Sequence, residues 1–325
     1  MTIATAIAHP NIALVKYWGK RDETLMLPAA GSLSLTLDAF PTTTTVRTSA
    51  DLTADELVLN GETQTSDAFL RVTRFLDLVR GMAGSTAHAQ VTSHNEAPTG
   101  AGLASSASGF AALAVAAAAA YGLDLDRAAL SRLARRGSGS AARSLVDGVS
   151  VWHAGDGDDT SFAEPVDAPE MSMIIVTVDA AQKAVSSREA MRRSALTSPF
   201  YPAWVTSTEL SLTAMLEACR DLDFSRIGRI TETHAMRMHA VIQACDPPIR
   251  YLSPTSIAVF DAIAALRADG VEAYGTADAG PNVAVISRPA DAARVAKALE
   301  PFGSVRIVGA GPGARLVSDG TGDGE

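Results

Sequence analysis

The sequence lacks the marks of a secreted, membrane-spanning or nucleic-acid-binding chain. Only two cysteines occur in 325 residues, Cys219 and Cys245. They form no disulfide or metal-binding framework, so two reduced thiols in a cytoplasmic protein are expected. Basic residues are in deficit: 27 Lys and Arg against 36 Asp and Glu leave a net charge of −9. That disfavours a general nucleic-acid partner, though a few cations can still converge on one anion. No basic segment followed by an apolar one opens the chain, as a secretory leader requires. The best membrane candidate, 110–123, is too short and too Ala-rich to cross a bilayer and reads as a buried helix. No Gly-Lys-Ser/Thr follows a glycine loop, no Gly-x-Ser-x-Gly elbow occurs, and no His-Glu-x-x-His is present. His234 and His239 are five apart rather than four, and read as satisfied or exposed histidines rather than a helical zinc pair. No repeat of fixed period is visible.

What the chain does have is an ordinary globular composition, 47% hydrophobic and 19% charged. Strand patterns fall at 33–37, 43–48 and 56–59, the last before the turn pair Asn60-Gly61. A helix over 66–81 and a strand over 87–93 lead into a glycine loop. Helices at 105–121 and 125–136 and a strand at 146–153 follow. The Gly/Asp loop at 155–160 is the expected domain boundary, giving a first domain at 1–165 and a second at 166–317. The second half reads as a strand at 171–178, helices at 186–196, 203–220, 224–244 and 254–268, strands at 273–277 and 282–287, a helix at 290–299 and a strand at 304–308. That order is not a regular βαβ array, so an α+β pair of domains is expected rather than a doubly wound sheet. The polar, Gly-rich tail at 318–325 reads as disordered.

Five segments carry candidate chemistry. The first is Pro98-Thr-Gly-Ala-Gly-Leu-Ala-Ser-Ser106, entering an Ala-rich helix. Backbone N–H groups, hydroxyls and a helix N-terminus gathered there suit a phosphate chain, and Ser105 or Ser106 could reach a Mg²⁺ that a nucleotide brings. The second is His9-Pro-Asn-Ile-Ala-Leu-Val-Lys-Tyr-Trp-Gly-Lys20. Lys16 and Lys20 there either meet phosphates, with Tyr17 as donor, or are solvated on an edge strand. The third, Arg135-Arg-Gly-Ser-Gly-Ser-Ala-Ala-Arg143, suggests a backbone nest with hydroxyls and a forked guanidinium for a phosphate or carboxylate; its alternative is a flexible loop. In the fourth, Ser186 and Glu189 form a capping-box pattern that puts Ser187 and Arg188 in a helix's first turn. In the fifth, Ala277-Asp-Ala-Gly-Pro-Asn282, Asp278 is either a turn residue or, buried among cations, a proton acceptor.

In their order along the chain these segments resemble the mevalonate diphosphate decarboxylases of the GHMP kinase superfamily, from about His9 to Leu316. The resemblance implies a GHMP kinase fold, with an N-terminal part like ribosomal protein S5 domain 2 and a ferredoxin-like C-terminal part. It implies ATP- and Mg²⁺-dependent decarboxylation of mevalonate 5-diphosphate to isopentenyl diphosphate, in a cytoplasmic homodimer. It makes Asp278, Lys16 and Arg143 catalytic. It puts Tyr17, Lys20, Ser138, Gly139, Ser140, Arg143, Ser187, Arg188 and Met191 around the substrate. The ATP loop becomes Pro98, Gly100, Gly102, Leu103, Ala104, Ser105 and Ser106. Two stretches depart from the family pattern: Ala29-Ala30-Gly31, where members often carry Asn or Ser, and Asp147, an added negative charge expected near an anion site. Rival readings are a GHMP kinase that stops at phosphorylation, an enzyme of mevalonate or its monophosphate, and a non-catalytic nucleotide-binding module.

Overall fold

The computed structural model describes residues 1–96, 105–179 and 184–317. The chain opens with strands β1 (Thr2–Ala8) and β2 (Asn11–Val15), then a small pair, β3 (Lys20–Asp22) and β4 (Leu27–Pro28). β5 (Ser32–Thr36), β6 (Thr42–Ser49) and the hairpin β7 (Glu56–Leu59) and β8 (Glu62–Thr63) follow. Helix α1 (Asp67–Ala83), β9 (His88–Asn95), α2 (Ser105–Ala120) and α3 (Arg127–Gly137) precede a 3₁₀ helix at Gly139–Leu145, β10 (Val149–Trp152) and β11 (Ala163–Pro165). The second half runs β12 (Ser172–Thr177), α4 (Ser187–Thr197), α5 (Tyr201–Arg220), α6 (Phe224–Gln243), α7 (Pro254–Ala268), β13 (Ala273–Thr276), β14 (Val283–Ser287), α8 (Ala292–Leu299), β15 (Ser304–Val308) and β16 (Arg315–Leu316).

β6 shows why the first sheet forms. Its sequence Thr-Thr-Thr-Thr-Val-Arg-Thr-Ser is β-branched and alternates buried with half-buried positions, and it pairs antiparallel with β1 and β9. Asn60 and Gly61 turn the β7–β8 hairpin with φ of 51° and 84°, the left-handed pair that an Asn-Gly turn favours. α2 is apolar on nearly every side, and its alanines let it lie close against β1, β6 and the 3₁₀ helix. Such a helix can only be a core helix. The described residues form a six-stranded sheet β16-β1-β6-β9-β7-β8 and two four-stranded sheets, β11-β10-β5-β2 and β13-β14-β12-β15.

The last of these is buried on both faces, which explains its unbroken apolar runs. Met173 and Ile175 face a core shared with β2 and β5, while Ile174 and Val176 face the core made with α7 and α8. The two halves therefore meet through common packing. They are also stitched covalently distant but spatially close: β16 pairs antiparallel with β1, and Leu37 bridges Ala310.

Three local differences from the sequence reading have plain causes. The strand expected over 146–153 starts only at Val149, because the preceding chain coils as a 3₁₀ helix through Leu145. The loop at 155–160 links the paired strands β10 and β11, so it closes a hairpin rather than parting two domains. β1 and β16 went unrecognised, since one is Ala-rich and the other is two residues long. The tail at 318–325 lies outside the described residues.

Candidate active site

The end of β2 delivers Lys16 to the middle of the molecule. Its side chain is 1% exposed and its Nζ donates to Asp278 Oδ1 at 2.6 Å, across 262 residues of sequence. Asp278 follows β13, and its side chain stays 35% exposed. Burial pushes the Lys16 ammonium below the ordinary lysine value; Asp278 pulls it back up, and Arg143 pushes it further down. β2 is an edge strand but is covered by α5 and α6, so the solvated-lysine alternative fails for Lys16.

Arg143 lies in the 3₁₀ helix, 2% exposed, and among the described residues no carboxylate is bonded to it. Its Nε donates to Asn11 Oδ1 at 3.2 Å and Ser34 Oγ at 2.9 Å, and its Nη1 to Ser32 Oγ at 2.5 Å. None of the described residues accepts a hydrogen bond from Nη2. Burial lowers the guanidinium pKa to about 10, against the pull of Asp278 and Tyr17. A buried cation held by neutral acceptors, with one nitrogen spare, is built to receive an anion. Asn11 also donates to the Ser140 carbonyl at 3.0 Å and Ser144 Oγ at 2.8 Å, which fixes the 3₁₀ helix to β2. The nest expected at 135–143 is thus this 3₁₀ helix, and its fork is spent partly on positioning itself.

A second cationic group lies beside the first. The Tyr17 hydroxyl is buried and has no partner among the described residues, and its pKa is pushed above the ordinary tyrosine range by burial, with Arg143 and Arg188 opposing. A Cβ at Gly139 would stand 2.7 Å from that hydroxyl, so only glycine lets the Ser138–Ser140 turn approach. Lys20 is lowered by burial; Glu23 opposes this, while Arg188 and Arg71 add to it. Arg71 of α1 lies over the Phe110 ring at 4.9 Å, and its buried Nε has no partner among the described residues. Burial first, then Arg188, brings its pKa down to about 10. Arg188 and Ser187 stand in the first turn of α4, as expected. Only half of the capping box forms: Ser186 Oγ accepts from the Glu189 N–H, while the Glu189 carboxylate takes the Arg193 guanidinium at 3.2 Å. Met191 packs with the apolar cluster around Trp18 and Trp204.

The nucleotide segment is only partly visible. Pro98, Gly100, Gly102, Leu103 and Ala104 lie outside the described residues, and Ser105 begins α2. Ser106 Oγ lies 3.3 Å from Ser138 Oγ, which in turn is 3.4 Å from Ser140 Oγ. The start of a 16-residue helix with no acidic residue in its first turn therefore faces the cationic group. Those features fit a polyphosphate. Among the described residues no group of three or more His, Cys, Asp or Glu could hold a metal.

Sequence reasoning missed Asn11, Ser32, Ser34, Arg71, His234 and His239. Ser32 and Ser34 carried a signal, polar residues at alternate positions of an apolar strand; the others are joined only by the fold. The Asp147 carboxylate accepts the Gly313 N–H at 2.6 Å, so it braces the chain's return.

A cationic pocket at the start of a core helix, with a carboxylate–lysine pair opposite, defines an enzyme of the GHMP kinase superfamily. Comparison with known proteins narrows the class. Residues 8–163 match the diphosphomevalonate decarboxylase-like N-terminal domain, and residues 173–306 the mevalonate 5-diphosphate decarboxylase C-terminal domain. The diphosphomevalonate decarboxylase of Ganoderma lucidum is 38% identical over 316 residues, 88% of this chain and 78% of that one. The crystal structure of mevalonate diphosphate decarboxylase from Staphylococcus aureus superposes with a TM-score of 0.94 at 37% identity, covering 98% of each chain. A solved complex of the protein called MDDEF with MVAPP, AMPPCP and magnesium gives 0.93 at 44% identity, over 97% of this chain and 99% of that one. The chain belongs to the diphosphomevalonate decarboxylase family.

Proposed function

We propose that this chain carries out the ATP- and Mg²⁺-dependent decarboxylation of mevalonate 5-diphosphate to isopentenyl diphosphate. The observation that carries the reading is the juxtaposition of Asp278, Lys16 and Arg143, one proton acceptor between two buried cations. Bound ATP with Mg²⁺ supplies the phosphoryl group that turns the tertiary 3-hydroxyl into a leaving group, which departs as the carboxylate leaves as CO₂.

The residues of the chain do the rest. Asp278 accepts the proton of the 3-hydroxyl, and Lys16 holds that carboxylate in place. Arg143 offers its free nitrogen to the substrate carboxylate, so that the breaking C–C bond is held in one orientation. Tyr17, Lys20, Arg71, Ser138, Gly139, Ser140, Ser187 and Arg188 grip the diphosphate, whose binding energy orients a reacting carbon several bonds away. Met191 supports the wall behind them. The segment from Pro98 to Ser106, with Gly100, Gly102, Leu103, Ala104 and Ser105, holds the ATP phosphates. We assign residues 1–165 and 166–317 as the two domains, working as a cytoplasmic homodimer. The free thiols of Cys219 and Cys245, both buried, support a reducing compartment, and no described helix is long and apolar enough to cross a membrane.

The test measures ADP and CO₂ together on mevalonate 5-diphosphate, mevalonate 5-phosphate and mevalonate. Equal amounts of both products from the diphosphate are expected. ADP without CO₂ would make the protein a kinase. Preference for the monophosphate would reassign the substrate, and ATP binding without turnover would leave a nucleotide-binding module.

A further inference from the structure

We infer that His234 and His239, two buried histidines of α6, are positioning residues that set the register between Lys16 and Asp278. The inference rests on the proposed reaction only for its kinetic readout; the geometry stands apart from it.

His234 Nδ1 accepts the backbone N–H of Lys16 at 3.0 Å. Its proton is therefore on Nε2, which lies 3.2 Å from Thr208 Oγ1. The Thr208 hydroxyl donates to the Trp204 carbonyl at 2.8 Å, so its oxygen is left to accept from the imidazole. Trp204 closes the circuit by donating from Nε1 to the Trp18 carbonyl at 3.0 Å. The backbone on both sides of Tyr17 is thus tied down, at Lys16 by the His234 imidazole of α6 and at Trp18 by the Trp204 indole of α5. His239 does the same for the other catalytic residue. Its Nε2 lies 3.2 Å from the Ala277 carbonyl, which can only accept, so this histidine carries its proton on Nε2 as well. One helix thereby grips the residue before Asp278 and the amide of Lys16, two points that lie on opposite halves of the sequence.

His234 must be neutral to accept the Lys16 N–H, and the surroundings of both imidazoles keep them neutral. The charged groups facing His234 are Lys16 and Arg237, and those facing His239 are Lys16 and Asp278. Burial is the main cause in both, lowering the pKa to about 3 for His234 and about 4 for His239. The arrangement resembles the outer partners of a metal site, where a fixed tautomer orients the group that does the chemistry.

The test uses crossed amide substitutions in the full chain. A Gln side chain places its amide near the Nε2 position of histidine, and an Asn side chain near Nδ1. His239→Gln and His234→Asn keep the required group in place; His239→Asn and His234→Gln misplace it. The first pair should hold kcat within about threefold of the parent. The second pair should lose about tenfold or more in kcat with both KM values nearly unchanged. A merely structural role predicts something else: losses that follow the thermal midpoint, and no difference between Asn and Gln at either position. That result overturns the inference. Absence of CO₂ release by the parent protein would instead overturn the proposed reaction.

Discussion

Replacing Asp278 with Asn keeps the size of the side chain and removes one charge. The lysine it leaves behind is 1% exposed and was bonded at 2.6 Å. Loss of the proton acceptor should lower kcat by about 10²-fold or more, with ATP and substrate binding retained. Breaking a buried ion pair costs about 3–5 kcal/mol; Asp278 is partly solvated, so screening brings the expected loss of stability down to about 1–3 kcal/mol. That loss must depend on pH. Burial already holds the Lys16 pKa below its unfolded value, and the variant lacks the carboxylate that raised it. Above the folded pKa the unfolded chain binds the extra proton, so stability climbs with pH until the unfolded value is reached. The penalty of the variant is therefore largest where both folded proteins hold a charged lysine, shrinks as pH rises through the range in which only the variant's lysine has lost its proton, and levels off once the parent's lysine has lost it too. Coupled ADP and CO₂ release, together with urea unfolding at several pH values, measures both effects. Turnover near the parent's rate, or a stability deficit that does not change with pH, would refute the reasoning.

Other outcomes follow from the same geometry. Arg143→Lys should cut kcat/KM by about tenfold to a hundredfold, since an ammonium cannot satisfy Asn11, Ser32 and Ser34 and still reach a carboxylate; unchanged efficiency in a steady-state assay would remove the arginine from the site. Gly19→Ala should destabilise the protein by about 2 kcal/mol or more, read as a lower thermal midpoint. Its φ is +107° and a Cβ would stand 1.8 Å from the Tyr201 hydroxyl. Acidification should unfold the protein by way of α6. His234 and His239 titrate at about 3 and about 4 when folded, against 6.5 as the ordinary value. The unfolded chain therefore binds more protons below that ordinary value, and stability falls as pH drops from there towards the folded values, by up to about 1.4 kcal/mol per pH unit for each histidine. In the double variant His234→Asn, His239→Gln the urea midpoint should depend less on pH over this range.

Local chemistry was legible in the sequence, and tertiary company was not. The Asn60-Gly61 turn, the Ser186 cap and the helix starting at Pro254 needed only neighbours along the chain, and each forms where the residues indicated. The α+β class followed from the order of such elements, and the recognised segments converge, with Lys16 bonded to Asp278 and Arg143 close enough to influence both. The loop of Gly100 and Gly102 falls outside the described residues. The hidden part consists of residues whose meaning depends on a distant partner. Asn11 reads as one polar residue in an apolar strand until the 3₁₀ helix arrives beside it. Arg71 reads as the solvated side of an amphipathic helix, yet it stacks on Phe110. The two histidines of α6 looked like structural residues because a spacing of five suits no metal, and their actual partners are a backbone amide and a carbonyl from separate strands' ends.

The strand that closes the first sheet is made last. Leu316 sits opposite Ala6, and the Ala314 N–H donates to the carbonyl of Ser144, directly beside Arg143, at 2.9 Å. During synthesis the amino-terminal half must therefore wait, with an open sheet edge, until roughly 150 further residues have left the ribosome. A truncated or stalled product would carry Arg143 but not the brace beside it, and should lose activity before it unfolds.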